Sequence, residues 1–218
     1  MLAAVQLLPA SGAPFEDAST NSTVDESSGE EGERVETSPL PKTSNIFSMW
    51  ETIIEPMKGH QKEFEEEFQG NVDYLFLNNY KRPSFPVKCP ESNFTREACL
   101  LRLVQGLQAY TVLLKLVKKE YPNSLTLPEV SRLQQLMTLI KERMKNSKRV
   151  TVLTSSQEEQ LLKELDNMDD FRRKMTAHSI LHYLRIFLID GKRSLCKWEM
   201  QRRRKTGTNG AYFGCQSL

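Results

Sequence analysis

Four cysteines, three histidines and two dense runs of charge are the side chains in this 218-residue chain whose chemistry goes beyond packing. Cys89 and Cys99 bracket nine residues. In an oxidising compartment they would close a small loop and stabilise the fold by about 2–3 kcal/mol in the chain-entropy view. A zinc site is the competing use, but the CxxC-like spacing and nearby histidines that it needs are absent. Cys196 and Cys215 stand near the end, and the sequence leaves open whether they pair or remain reactive or intermolecular thiols. His178 and His182 are four apart, a metal-ligand spacing, yet the Glu of a zincin motif is missing. They are expected as polar side chains at a helix surface or core edge, with no metal and no cofactor. Glu63-x-Glu65-Glu66-Glu67 reads as a solvated face. No nucleophile elbow, phosphate loop or dinucleotide fingerprint occurs, so no catalytic residue is predicted and the chain is not expected to be an enzyme.

Charge is unevenly placed. Glu16, Asp17, Asp25, Glu26, Glu30, Glu31, Glu33 and Glu36 face Arg34 alone, a local balance of −7 in a chain of +2, so the remainder carries +9. Residues 13–43 are rich in Ser, Thr, Glu, Pro and Gly, and such a segment cannot bury enough surface to offset its ordering entropy; a disordered acidic arm is expected there. Residues 1–12 resemble the back half of a secretory signal, with an apolar run and then Ala10-x-Gly12 before Ala13. The missing basic n-region suggests a truncated start, and an untargeted cytosolic protein is the alternative. No other stretch reads as apolar enough to insert in a membrane. Two glycosylation sequons occur, at Asn21 and Asn93. Arg202-Arg203-Arg204-Lys205 reads as part of a solvated basic tail over 198–218, with heparin or nucleic acid as the alternative partner.

Helical periodicity supplies the elements that must position these groups. Ile46, Trp50, Ile53, Met57, Phe64 and Phe68 recur mostly at three- and four-residue steps from Ser44, with a kink expected at Pro56 and a stop at Gly70. Leu100, Leu103, Leu107, Tyr110, Leu114, Val117 and Tyr121 form the cleanest stripe, ended by Pro122. A third helix is predicted over 128–148. A short one follows from Ser155 or Ser156 to Leu165, and a fourth long one spans 168–195 with Phe171, Met175, Leu181, Leu184 and Leu188 inward. Only 150–153 looks β-like. The order of connections is long, short, long. That order allows an all-α long-chain four-helix bundle, up-up-down-down, over 44–197 with a short extra helix in the last crossover.

One pattern is specific. Cys89, nine residues, Cys99, six residues, Gly106-Leu107, two residues, Tyr110, three residues and Leu114 resembles the signature of the interleukin-6 and granulocyte colony-stimulating factor family. The segments 88–99, 174–181 and 187–193 resemble that family's interleukin-6 type, and the resemblance covers about 44–195. It implies a secreted, extracellular cytokine, monomeric before receptor assembly and without nucleic-acid or membrane partners. Such a cytokine binds an interleukin-6-type α-receptor and a shared signal-transducing receptor. The implied α-receptor contacts are Phe94 and Arg193, with Lys192, Lys197 and Asp190 as neighbours. Glu51, Glu55, Lys58, Arg132 and Gln135 are nominated for a second surface. Phe171 stands where the family carries a Trp at a third, an ordinary core residue being the other reading. Against the pattern, no earlier cysteine pair precedes Cys89, Cys196 replaces a basic contact, and the tail runs past the family's usual end. A sister cytokine of the granulocyte type is the runner-up.

Overall fold

The computed structural model describes residues 43–82, 85–89, 95–166, 168–206 and 215, and among these every regular element is helical. Helix α1 (Thr43–Ile54) buries Ile46, Phe47, Trp50 and Ile53. Pro56 lacks an amide hydrogen and cannot continue the ladder. The chain tightens into a 3-10 turn, Pro56–Gly59, and resumes as α2 (His60–Glu67). The expected kink is thus a full break. Gly70, at φ 71°, closes α2 by donating its N–H to the Glu65 carbonyl at 3.1 Å.

Helix α3 (Arg96–Glu120) starts where the Thr95 hydroxyl accepts the Ala98 N–H at 3.2 Å, and it buries the predicted stripe from Leu100 to Val117, while Tyr121 lies just past its end and is half-buried. It is long and apolar enough to cross a membrane, contrary to the sequence reading, but 61% of that apolar window is buried inside the bundle. Helix α4 (Val130–Lys141) is shorter than expected. The Glu97 carboxylate, at the start of α3, accepts the N–H groups of Lys145 (2.9 Å) and Asn146 (3.0 Å). These donors therefore find partners outside the helix, and their hydrogen bonds hold the Glu97 carboxyl below its usual range. Helix α5 (Ser155–Asp166) occupies the last crossover. Its cap lies one residue before the predicted serines: the Thr154 hydroxyl accepts from Gln157 N–H, and the Gln157 side-chain oxygen accepts from Thr154 N–H. Residues 150–153 are irregular.

Helix α6 (Asp170–Thr206) corrects the largest boundary. Instead of ending near 195 it runs through Arg202, Arg203, Arg204 and Lys205, so the basic run is helical and not a separate tail. The extension is held by Glu199, 6% exposed, which pairs with Arg96 of α3 at 3.4 Å and with Arg202 at 3.7 Å.

Helix directions follow from which residues meet. Along α1 and α2, Trp50, Glu51, His60 and Glu67 contact Leu188, Lys192, His178 and Lys174 of α6. Along α3, Arg96, Gly106 and Glu120 meet Glu199, Phe187 and Arg173. Both series run opposite to α6, so α1–α2 and α3 are parallel. The short 121–129 link returns α4 antiparallel to α3, which gives up-up-down-down.

The main core spans α1, α3, α4 and α6, and a smaller cluster of Phe64, Tyr74, Leu77 and Met175 seats a 3-10 segment, Tyr74–Asn78, on α6. Two helical glycines mark close approaches. A Cβ on Gly106 would lie 2.4 Å from Phe187 Cζ, and one on Gly191 would lie 2.7 Å from Leu103 Cδ2 and 2.9 Å from Trp50 Cζ2.

Cys89 pairs with Cys99, and Cys196 with Cys215, which closes the alternative left open for the second pair. In the chain-entropy model a 10-residue separation contributes about 3 kcal/mol and a 19-residue one slightly more. Cys89→Ser/Cys99→Ser is therefore expected to lower the urea midpoint without a loss of helix content at low urea. An unchanged midpoint would mean that the loop is as constrained without the bond.

Candidate functional site

Cys89 covalently ties the end of the first crossover to the first turn of α3, and this sets one end of the bundle. Arg102 of α3 donates to the Lys88 carbonyl at 3.3 Å, and the Lys88 ammonium lies 3.6 Å from Asp190 of α6. Asp190 also pairs with Arg193 one turn later at 3.7 Å. A mostly covered carboxylate thus bridges two largely exposed cations from two elements. Lys197 is exposed on the next turn. The elements predicted to share a surface are adjacent here, with Arg193 and Lys197 outward. Phe94 and Asn93, like Asn21, lie outside the described residues.

Lys192 does not belong to this surface. Its side chain is 0% exposed and pairs inward with Glu51 of α1, whose side chain is 33% exposed. Burial pushes the Lys192 ammonium below its usual range. Lys192 and Glu199 share the core stripe with Leu188 and Leu195, at steps of four, three and four, and the sequence does carry that signal. Adjacency to Arg193 in the family resemblance is what set Lys192 outside.

The second nominated face brings α1 and α4 together. Arg132 donates to the Thr52 carbonyl at 3.2 Å while pairing with Glu129, and Glu55 pairs with Lys58 at 2.6 Å. Gln135 is exposed, whereas Glu51 is engaged with Lys192. At the opposite end of α6 from Arg193, Phe171 is 53% exposed, with its ring edge-on to Phe68 at 5.8 Å. The core reading of Phe171 is excluded. Leu75 (64%) and Phe76 (46%) on the Tyr74–Asn78 segment are also exposed, although periodicity did not single them out.

The acidic run is more than a solvated face. The Glu63 carboxylate accepts from Leu125 and Thr126 N–H and from the Ser124 and Thr126 hydroxyls, fixing the link after α3. Glu67 pairs with Lys174 at 2.6 Å. Both sit with Glu120 and Tyr121 around a cleft of about 450 Å³ that reaches His178. His178 and His182 are buried and hydrogen-bonded, not surface groups. Among the described residues no group of three or more potential ligands could hold a metal ion.

A profile of the Interleukin-6/G-CSF/MGF family matches residues 17–197. The chain is 50% identical to an interleukin-6 of Paralichthys olivaceus over 208 residues, 94% of this chain and 88% of the relative. It is 48% identical to one of Takifugu rubripes (90% and 84% covered) and 44% identical to one of Sparus aurata (87% and 82%).

Proposed function

Because the chain belongs to the Interleukin-6/G-CSF/MGF family, we propose that this cytokine is secreted and signals by joining a specific α-receptor to a shared signal-transducing receptor. The α-receptor surface is the end of the first crossover together with the outer face of α6, carried by Phe94, Arg193 and Lys197. The observation that carries this reading is the Lys88–Asp190–Arg193 bridge, which sets a largely exposed arginine beside the disulfide-anchored crossover end. An exposed Arg is among the residue types enriched at interface hot spots. The shared receptor is met at two further places, the α1–α4 face around Arg132 and Gln135 and the Phe171 end of α6. Two disulfides suit an oxidising, extracellular compartment. Asn21 and Asn93 are the glycan acceptors, and the protein is a monomer until receptors assemble it.

Binding of the oxidised protein to the α-receptor ectodomain tests this. Arg193→Glu is expected to weaken binding by about 30-fold or more, the scale of a hot-spot loss, with circular dichroism unchanged. No saturable binding by a folded parent would move the assignment to a granulocyte-type sister. The exposed Arg204 and Lys205 on α6 favour a second reading, attachment to a sulfated polyanion. That reading requires heparin binding that falls steeply with salt and survives Arg193→Glu.

A further inference from the structure

All three histidines of the chain join one string of hydrogen bonds, buried except at its Asn78 end, that links α2, the Tyr74–Asn78 segment and α6. His182 Nε2 meets Asn78 Oδ1 at 2.9 Å, and His182 Nδ1 meets the Tyr74 hydroxyl at 3.2 Å. The hydroxyl meets His60 Nδ1 at 2.9 Å, and His60 Nε2 meets His178 Nδ1 at 3.0 Å.

Donor and acceptor accounting assigns every hydrogen in this string. The Asn78 oxygen only accepts, so His182 Nε2 carries a hydrogen and its Nδ1, in a neutral ring, is bare. The Tyr74 hydroxyl therefore donates to His182 Nδ1, and its oxygen accepts from His60 Nδ1–H. His60 Nε2 is then bare and accepts from His178 Nδ1–H. What remains is a bare Nε2 on His178, which has no protein partner. Burial keeps the three rings neutral, His60 lowered to about 3 and His178 and His182 to about 4.

The string has room for one proton. His178 Nε2 can take it without breaking any bond, and Glu63 and Glu67 on α2 favour the charge while Lys174 on α6 opposes it. From α3, the Tyr121 ring covers His178 at a centroid distance of 4.8 Å. A second proton has no such place. At His60 Nε2 or His182 Nδ1 it would set a hydrogen against another donor, beside the opposing Arg185 charge.

We propose that this string is an acid-released latch: it stays closed on the first proton and opens on the second. Opening lifts the Tyr74–Asn78 segment, with its exposed Leu75 and Phe76, off α6 while the Arg193 end of the bundle stays in place. The segment is also tied to α6 by the packing of Tyr74 and Leu77 on Met175, by a side-chain hydrogen bond between Arg185 and Tyr74, and by bonds to backbone carbonyls from Ser179 to Tyr80 O at 2.9 Å and from Tyr183 to Asn78 O. Freed histidines titrate near 6.5, above the latched values, so the open state binds more protons at every pH between them. The latch is accordingly at full strength above about pH 6.5 and drains as pH falls toward 4.

Nitrogen-15 NMR of the full oxidised chain reads each step. At pH 7.5 the expected tautomers are Nε2–H on His182 and Nδ1–H on both His60 and His178. On acidification protection of the segment should decline gradually below about pH 6.5, and within the closed state His178 Nε2 should be the first nitrogen to protonate. The Asn79 and Tyr80 amides, bonded to Phe76 O and Leu77 O, should then lose protection while those of α3 keep it. Tyr74→Phe preserves the ring but cuts the string, and it should raise the opening pH and merge the two steps into one. A different tautomer on any of the three rings, or loss of α3 protection together with Asn79 and Tyr80, overturns the latch. So does a Tyr74→Phe variant that opens at the parental pH.

Discussion

Gly106→Val is expected to destabilise the bundle by about 3 kcal/mol, the upper part of the range for overpacking a core. Even a methyl group at this position would sit 2.4 Å from Phe187 Cζ and 3.1 Å from Pro86 Cβ. Phe187 cannot simply swing aside, because it is 3% exposed and its ring packs on that of Tyr110 at 5.4 Å. Alanine should cost less, since it recovers about 1 kcal/mol of helix propensity over glycine. The check is urea unfolding of the single variants, Phe187→Leu and the double variant. The midpoint should drop in Gly106→Val with an unchanged slope, and Phe187→Leu should be less harmful in the valine background than in the parent. Strict additivity would mean that Phe187 is not what glycine makes room for.

The second large effect concerns the buried ion pair, and it is asymmetric. Glu51→Ala is expected to cost about 3 kcal/mol, because it leaves the Lys192 ammonium covered without its counter-charge. Lys192→Met should cost under about 1.5 kcal/mol, since a flexible apolar side chain fills the space and Glu51, a third exposed, can hydrate. Burial already lowers the Lys192 pKa. The unfolded state therefore binds more protons on the alkaline side, and the Glu51→Ala deficit should shrink as pH rises toward the free lysine value. Equal losses in the two single variants would place the lysine in solvent, as a contact residue would be.

The sequence disclosed what local spacing controls and concealed what distant partners control. The stripe of α3 was plain because Leu100, Leu103, Leu107, Tyr110, Leu114 and Val117 each obey the helical period and each end up buried. The break at Pro56 was announced by the residue itself. The end of α4 was hidden, because Glu97, 48 residues away, receives the donors that would have extended it. The length of α6 was hidden likewise, since the buried Glu199 depends on Arg96 across 103 residues. At the candidate surface, the family resemblance pointed to Arg193, which is exposed and bridged by Asp190, and it also set the adjacent Lys192 there, which is buried. His60 carried no local sign of meeting His178, because 118 residues separate them. Phe171 and the acidic run show the same division: their types were readable, their surroundings were not.

The bond between Cys196 and Cys215 has a consequence for how this molecule can be taken apart. Arg202, Arg203, Arg204 and Lys205 lie between the two cysteines and are natural points for a trypsin-like protease. A single hydrolysis there removes no mass: it adds one water, creates a new amino and a new carboxyl end, and leaves both pieces joined through sulfur. The clipped and intact forms differ by only that water until a reductant is added, and only then does the carboxyl-terminal peptide leave.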